Sequence, residues 1–93
     1  MKLLFVSLIM FISAASFAQE FGLASYYSDS FQGLKTANGE LYDKNKMTAA
    51  HNSYPYGTMI RVTRLDNSQS VVVRVNDRGP FIKGRIVDVS RKA

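Results

Sequence analysis

Met59–Leu65 (M-I-R-V-T-R-L) and Ser70–Asn76 (S-V-V-V-R-V-N) decide the fold. In the first run Ile60 and Val62 fall on one side and Arg61 and Thr63 on the other. In the second, Val71, Val73 and Val75 share a face. Successive side chains of a strand point to opposite faces, so this alternation marks two half-buried strands. Asp66-Asn67-Ser68 between them is a polar turn, which joins the pair into a hairpin. Downstream, Asp77-Arg78-Gly79-Pro80 breaks the strand and Arg85–Val89 (R-I-V-D-V) resumes one. Upstream, Phe21–Tyr27 (F-G-L-A-S-Y-Y) reads as a strand, Ser28–Gly39 as a loop, and Ser53–Thr58 as a turn built on Pro55 and Gly57. Lys44–His51 has helical character but is short enough to be a turn, and Ser90 is placed to cap a helix beginning at Arg91-Lys92-Ala93. Short strands with one or two helical pieces predict a mainly-β chain folded as a small barrel rather than a sandwich.

The 93 residues allow one domain. With 46% apolar and 20% charged residues the chain is too hydrophobic to be disordered. The absence of Cys excludes internal disulfides, a thiolate zinc site and a lipid-attachment cysteine, and a single His excludes a multi-His metal centre. No phosphate-binding loop, nucleophilic Ser or Cys system or nucleotide fingerprint is present, so neither metal nor cofactor is expected.

The first eighteen residues read as a targeting segment outside the fold. Lys2 precedes an apolar run from Leu3 to Ile12, and small residues follow, with Ser16 and Ala18 at the two positions a signal peptidase reads. The run is shorter than the ~20 residues of a spanning helix, so a cut between Ala18 and Gln19 is favoured over a membrane anchor. The expected organisation is therefore a signal peptide over 1–18 and one domain over 19–93, exported to the periplasm or cell envelope and soluble after cleavage. Without Lys2 the remaining 11 basic and 7 acidic residues leave a net charge of +4, which suits an anionic wall polymer better than nucleic acid, a solvated basic face being the plainer alternative.

Six motifs occur in order: G-L-A-S-Y-Y (Gly22–Tyr27), T-A-N-G-E (Thr36–Glu40), T-A-A-H (Thr48–His51), P-Y-G-T (Pro55–Thr58), V-N-D-R-G-P-F (Val75–Phe81) and G-R-I-V-D-V-S (Gly84–Ser90). Their order and spacing resemble the double-psi β-barrel of the rare lipoprotein A (RlpA-like) proteins, with expansins, barwin-like proteins and a family of endoglucanases as more distant relatives. The resemblance implies a six-stranded double-psi barrel, here without the C-terminal helix and last strand that close it, and without a glycan-binding SPOR domain. It also implies an endolytic lytic transglycosylase of bacterial peptidoglycan, a lyase that cuts between N-acetylmuramic acid and N-acetylglucosamine and leaves a 1,6-anhydro end. The family's polar cluster falls on Asp77, His51 and Glu40. The alternatives are a non-catalytic, expansin-like glycan-binding module and an inactive fragment.

The chemistry needs little machinery. A glycosidase that uses water requires two carboxyl groups about 5–9.5 Å apart. When the sugar's own 6-hydroxyl attacks, one carboxyl suffices, first as acid to the leaving oxygen and then as base to the hydroxyl. Asp77, at a strand end before a stiff Gly-Pro corner, is the candidate for that role; a turn cap or a partner for Arg78 or Arg85 is the structural alternative. Glu40 is the second carboxyl, to raise the pKa of Asp77 by repulsion or to stabilise positive charge, unless it is a solvated loop residue. His51 is placed to bond a carboxyl or a sugar hydroxyl, unless it is a buried polar residue. Among the aromatics, Tyr27 and Tyr56 are the candidates for exposed sugar platforms, and Arg78 for contact with substrate carboxylates. Asp88 is expected to fix local structure.

Overall fold

The computed structural model describes residues 2–8 and 19–93. Among the described residues there are six strands, β1 (Lys2–Leu8), β2 (Gln19–Tyr26), β3 (Thr48–Ala50), β4 (Met59–Arg64), β5 (Ser70–Asp77) and β6 (Arg85–Val89), and one 3-10 turn, Asp29–Phe31. The sheet curls on itself in the order β1-β2-β6-β3-β5-β4. Pairs β2–β6 and β3–β5 are parallel and the others antiparallel. This mainly-β architecture is consistent with a double-psi β-barrel.

The alternating runs become the β4–β5 hairpin, with Ile60 opposite Val73 and Val62 opposite Val71. Ile60, Val62, Val73 and Val75 point inward and meet Val87, Ala24 and Ala49 in the core. Each buried valine or isoleucine contributes about 1.5–3 kcal/mol from leaving water. The inward-facing residues are small or β-branched, as a narrow barrel requires. At Gly22 a Cβ would lie 2.7 Å from Ile86 Cγ2, so this position admits the close approach of β2 to β6 only as glycine.

Two elements differ from their sequence expectation, and a third, left open between helix and turn, is resolved. Lys44–His51 is a turn followed by β3, because Thr48-Ala49-Ala50 are buried between β5 and β6 and small side chains fit where helical periodicity has nothing to pack against. Ser90 caps no helix. It is fully buried, its hydroxyl donates to Lys46 O at 2.5 Å, and its own N–H donates to Thr48 O, which ties the end of β6 to the loop before β3. Residues 2–8, expected outside the fold, form β1 between β2 and β4, pairing Leu4 with both Gly22 and Arg64. Residues 19–93 thus supply five strands and β1 joins their two outer edges. Ala18, one side of the expected cleavage point, lies outside the described residues.

Candidate active site

Asp77 is the last residue of β5, where the chain leaves the sheet into Arg78-Gly79-Pro80. Its backbone is held from β3: His51 N–H donates to Asp77 O at 3.2 Å. Its carboxyl is held by three donors. Oδ1 accepts from Ala37 N–H at 2.8 Å and from Arg78 N–H at 2.9 Å, and Oδ2 accepts from the Tyr27 hydroxyl at 2.5 Å. The carboxyl borders a small cavity of about 170 Å³ lined by Tyr27, Phe31, Leu34, Lys35, Thr36 and Tyr42. Oδ1 thus has two backbone donors and Oδ2 a single side-chain donor. A larger cavity of about 620 Å³ lies between the ends of β2 and β4 and touches none of the polar cluster.

The corner after Asp77 is fixed by Asn52, which sequence reasoning did not single out. Its Oδ1 accepts from Gly79 N–H at 3.1 Å and its Nδ2 donates to Pro80 O at 2.7 Å. Asparagine in a polar turn carries no signal that it reaches across to another loop.

Glu40 does not touch Asp77. Its two oxygens take the Arg74 guanidinium in a fork, Nη1 at 2.6 Å and Nη2 at 2.8 Å, and also accept from Asn38 and Asn76. Arg74, then Asn38, pull its pKa down to about 2, burial opposing weakly. The Arg74 charge beside it offsets the charge of the Glu40 carboxylate. Glu40 braces the Thr36–Glu40 loop, whose Ala37 N–H reaches Asp77 and whose Asn38 N–H donates to Asn76 O. Arg74 sits on the polar face of β5, where the sequence showed only an outward-facing charge.

His51 is 2% exposed. Its Nδ1 accepts from Ser53 N–H and Tyr54 N–H, which leaves the ring proton on Nε2, directed at Glu20 Oε1 2.9 Å away. The ring stacks on Tyr54 at 4.0 Å. Burial and the facing Glu20 carboxylate push the Tyr54 hydroxyl up to about 12. Both imidazole nitrogens are therefore engaged within the protein, and His51 organises the loop beside β3 rather than facing the Asp77 cavity, whose lining does not include it. The carboxyl it was expected to bond is Glu20, a residue whose place beside the expected cleavage point gave no hint of this.

The expected substrate contacts are rearranged. Tyr27 is no open platform: it stacks on Tyr42 at 4.4 Å, meets Phe31 edge-on at 5.8 Å, and bonds Asp77. Burial, then the Asp77 hydrogen bond, push its pKa up, so the phenol keeps its proton. Arg78 reaches back to His51 O and Tyr54 O and lays its guanidinium over the Tyr56 ring at 4.0 Å, which occupies one face of that ring. Tyr56 itself remains 43% exposed, as expected of it. Asp88 pairs with Arg85 at 2.5 Å, as a structural residue should. Phe81 is the most open aromatic of this region, 84% exposed at the tip beyond Pro80. Among the described residues no cluster of three or more His, Cys, Asp or Glu has the arrangement of a metal site, and no helix is long and apolar enough to cross a membrane.

The profile of a family described as "Lytic transglycolase" matches residues 19–93. The chain is similar to proteins named "Endolytic peptidoglycan transglycosylase RlpA" from three bacteria. Identity is 53% over 72 residues with that of Campylobacter jejuni, covering 77% of this chain and 26% of the relative. It is 50% over 80 residues with that of Pasteurella multocida, covering 86% and 27%. It is 54% over 74 residues with that of Vibrio cholerae, covering 80% and 28%. The chain thus spans little more than a quarter of the length of these relatives.

Proposed function

Because the chain belongs to the lytic transglycosylase family whose profile covers residues 19–93, we propose that it is an endolytic peptidoglycan transglycosylase, with Asp77 as its single acid/base. The observation that carries this reading is the Asp77 carboxyl: three donors hold it at the edge of a cavity, two on Oδ1 and one on Oδ2. In the proposed reaction Oδ2 gives a proton to the bridging oxygen as the C1–O bond of N-acetylmuramic acid breaks. The same oxygen then takes the proton of the 6-hydroxyl as O6 bonds to C1, which closes the 1,6-anhydro ring and returns the carboxyl to its starting state. No water is consumed, which is why a second carboxyl is unnecessary. Glu40 and His51 act by positioning, Glu40 through the loop that donates Ala37 N–H and His51 through the backbone of Asp77. Arg78 joins them by tying the His51 and Tyr54 carbonyls to the corner.

The substrate is the glycan strand of the cell wall, and the site of action the cell envelope. Residues 1–18 act as an export leader, β1 closing the sheet only until that leader is removed, and residues 19–93 form the double-psi barrel domain. Digesting purified sacculi with the chain and analysing the released muropeptides by mass spectrometry tests the reading. Anhydro ends are expected. Reducing ends would replace the lyase by a hydrolase, and bound glycan without products would replace it by a binding module.

A further inference from the structure

Asp77 has to serve in two protonation states, and the structure shows what its reacting oxygen faces in both. Oδ1 has both lone-pair directions occupied by the N–H groups of Ala37 and Arg78, neither of which can turn into an acceptor. Oδ2 faces the Tyr27 hydroxyl at 2.5 Å. A phenol oxygen is both donor and acceptor. It donates to Oδ2 when the carboxyl is ionised and accepts from an Oδ2 proton by rotating about its C–O bond. Its ring is clamped so that the hydroxyl stays in place: stacked on Tyr42 at 4.4 Å and 9°, and met edge-on by Phe31 at 83°. Tyr42 is itself 2% exposed and anchored by Arg91 N–H, which donates to its hydroxyl at 3.1 Å.

We propose that Tyr27 is the positioning residue of the acid/base, a rotating hydroxyl that keeps the catalytic proton on Oδ2 of Asp77 and holds that oxygen toward the cavity. This inference rests on Asp77 being the acid/base. It assigns Tyr27 a role in the proton transfer rather than in stacking against sugar.

Tyr27→Phe keeps the ring and its stacking and removes only the hydroxyl. Losing a donor to the ionised carboxyl favours its protonated form. In the full 93-residue chain acting on sacculi, the variant is expected to lower kcat about tenfold with KM within about twofold, because the lost contact serves the reacting oxygen and not sugar binding. The alkaline limb of the pH–rate profile is expected to move up by about one unit. A second readout does not depend on activity: the carboxyl carbon of Asp77, followed by NMR against pH, should titrate about one unit higher in the variant than in the wild type. Should Tyr27→Phe fail to fold, 3-fluorotyrosine at position 27 retains the packing and strengthens the donor, and both readouts should move in the opposite direction. A raised KM with unchanged kcat would make Tyr27 a sugar platform and overturn the proposal, as would an unmoved Asp77 titration. A wild-type chain that releases no anhydro product, together with a shifted titration, would keep the contact and refute the assignment of Asp77.

Discussion

Asn52→Ala removes one side chain that bridges two loops, and its cost follows from the groups left behind. The amide accepts from Gly79 N–H at 3.1 Å and donates to Pro80 O at 2.7 Å, and both of those residues are buried. A hydrogen bond contributes about 0.5–1.5 kcal/mol net, while a buried group left without its partner costs about 1–3 kcal/mol. Because Asn52 itself lies at the surface, water can reach part of the gap, so we expect a total of about 2–3 kcal/mol. With a urea slope of about 1 kcal/mol per M, the unfolding midpoint followed by circular dichroism should fall by roughly 2 M. Activity of the folded fraction should fall about tenfold, since the corner that aims Asp77 is loosened. Asn52→Asp keeps an acceptor for Gly79 N–H but sets a carboxylate against the Pro80 carbonyl, and should not restore the midpoint. A fall below about 0.5 M for Asn52→Ala would refute the claim that this amide holds the corner.

Glu40→Gln breaks the fork with Arg74. The pKa of Glu40 is lowered from 4.5 to about 2, so its contribution is complete above pH 4.5 and disappears as the pH falls through 2. The side chain is 42% exposed, so the stability difference between wild type and variant at pH 7 should be about 0.5–1 kcal/mol and shrink to nothing near pH 2 in acid-titrated thermal melts. A difference that grows in acid would reverse the assigned sign. Deleting residues 1–18 removes β1 and bares the edges of β2 and β4, so a lower urea midpoint and self-association on size exclusion are expected. An unchanged, monomeric chain would show that residues 19–93 need no strand at that position.

The β4–β5 hairpin was legible because one of its faces is core and the other is solvent, which writes a period of two into the sequence. The third strand was not. All three of its residues are buried, so Thr48-Ala49-Ala50 carries no alternation, and its identity depends on partners far along the chain. At the site, the strand end before Gly-Pro puts Asp77 at a corner, but those residues alone suit a turn cap equally well, and it is the family resemblance that marks Asp77 as the acid/base candidate. The surroundings were harder. Which tyrosine is open and which is satisfied depends on packing, and Tyr27 takes its place from Tyr42, Phe31 and Asp77, none of them adjacent to it. For His51 the sequence leaves a carboxyl, a sugar hydroxyl and a buried polar place open, and its partners, Glu20 and the Ser53 and Tyr54 N–H groups, are set by packing. Glu40 read as a second carboxyl for catalysis, and the Arg74 that neutralises it is 34 residues away.

If a single carboxyl carries out both proton transfers, Asp77→Asn should stop the reaction without unfolding the protein. Asparagine preserves the Oδ1 acceptor for Ala37 and Arg78 and so should leave the fold intact by circular dichroism. Release of anhydro-muropeptides from sacculi, measured by mass spectrometry, should fall at least about a hundredfold. A folded variant that still releases them at more than a tenth of the wild-type rate would contradict the account.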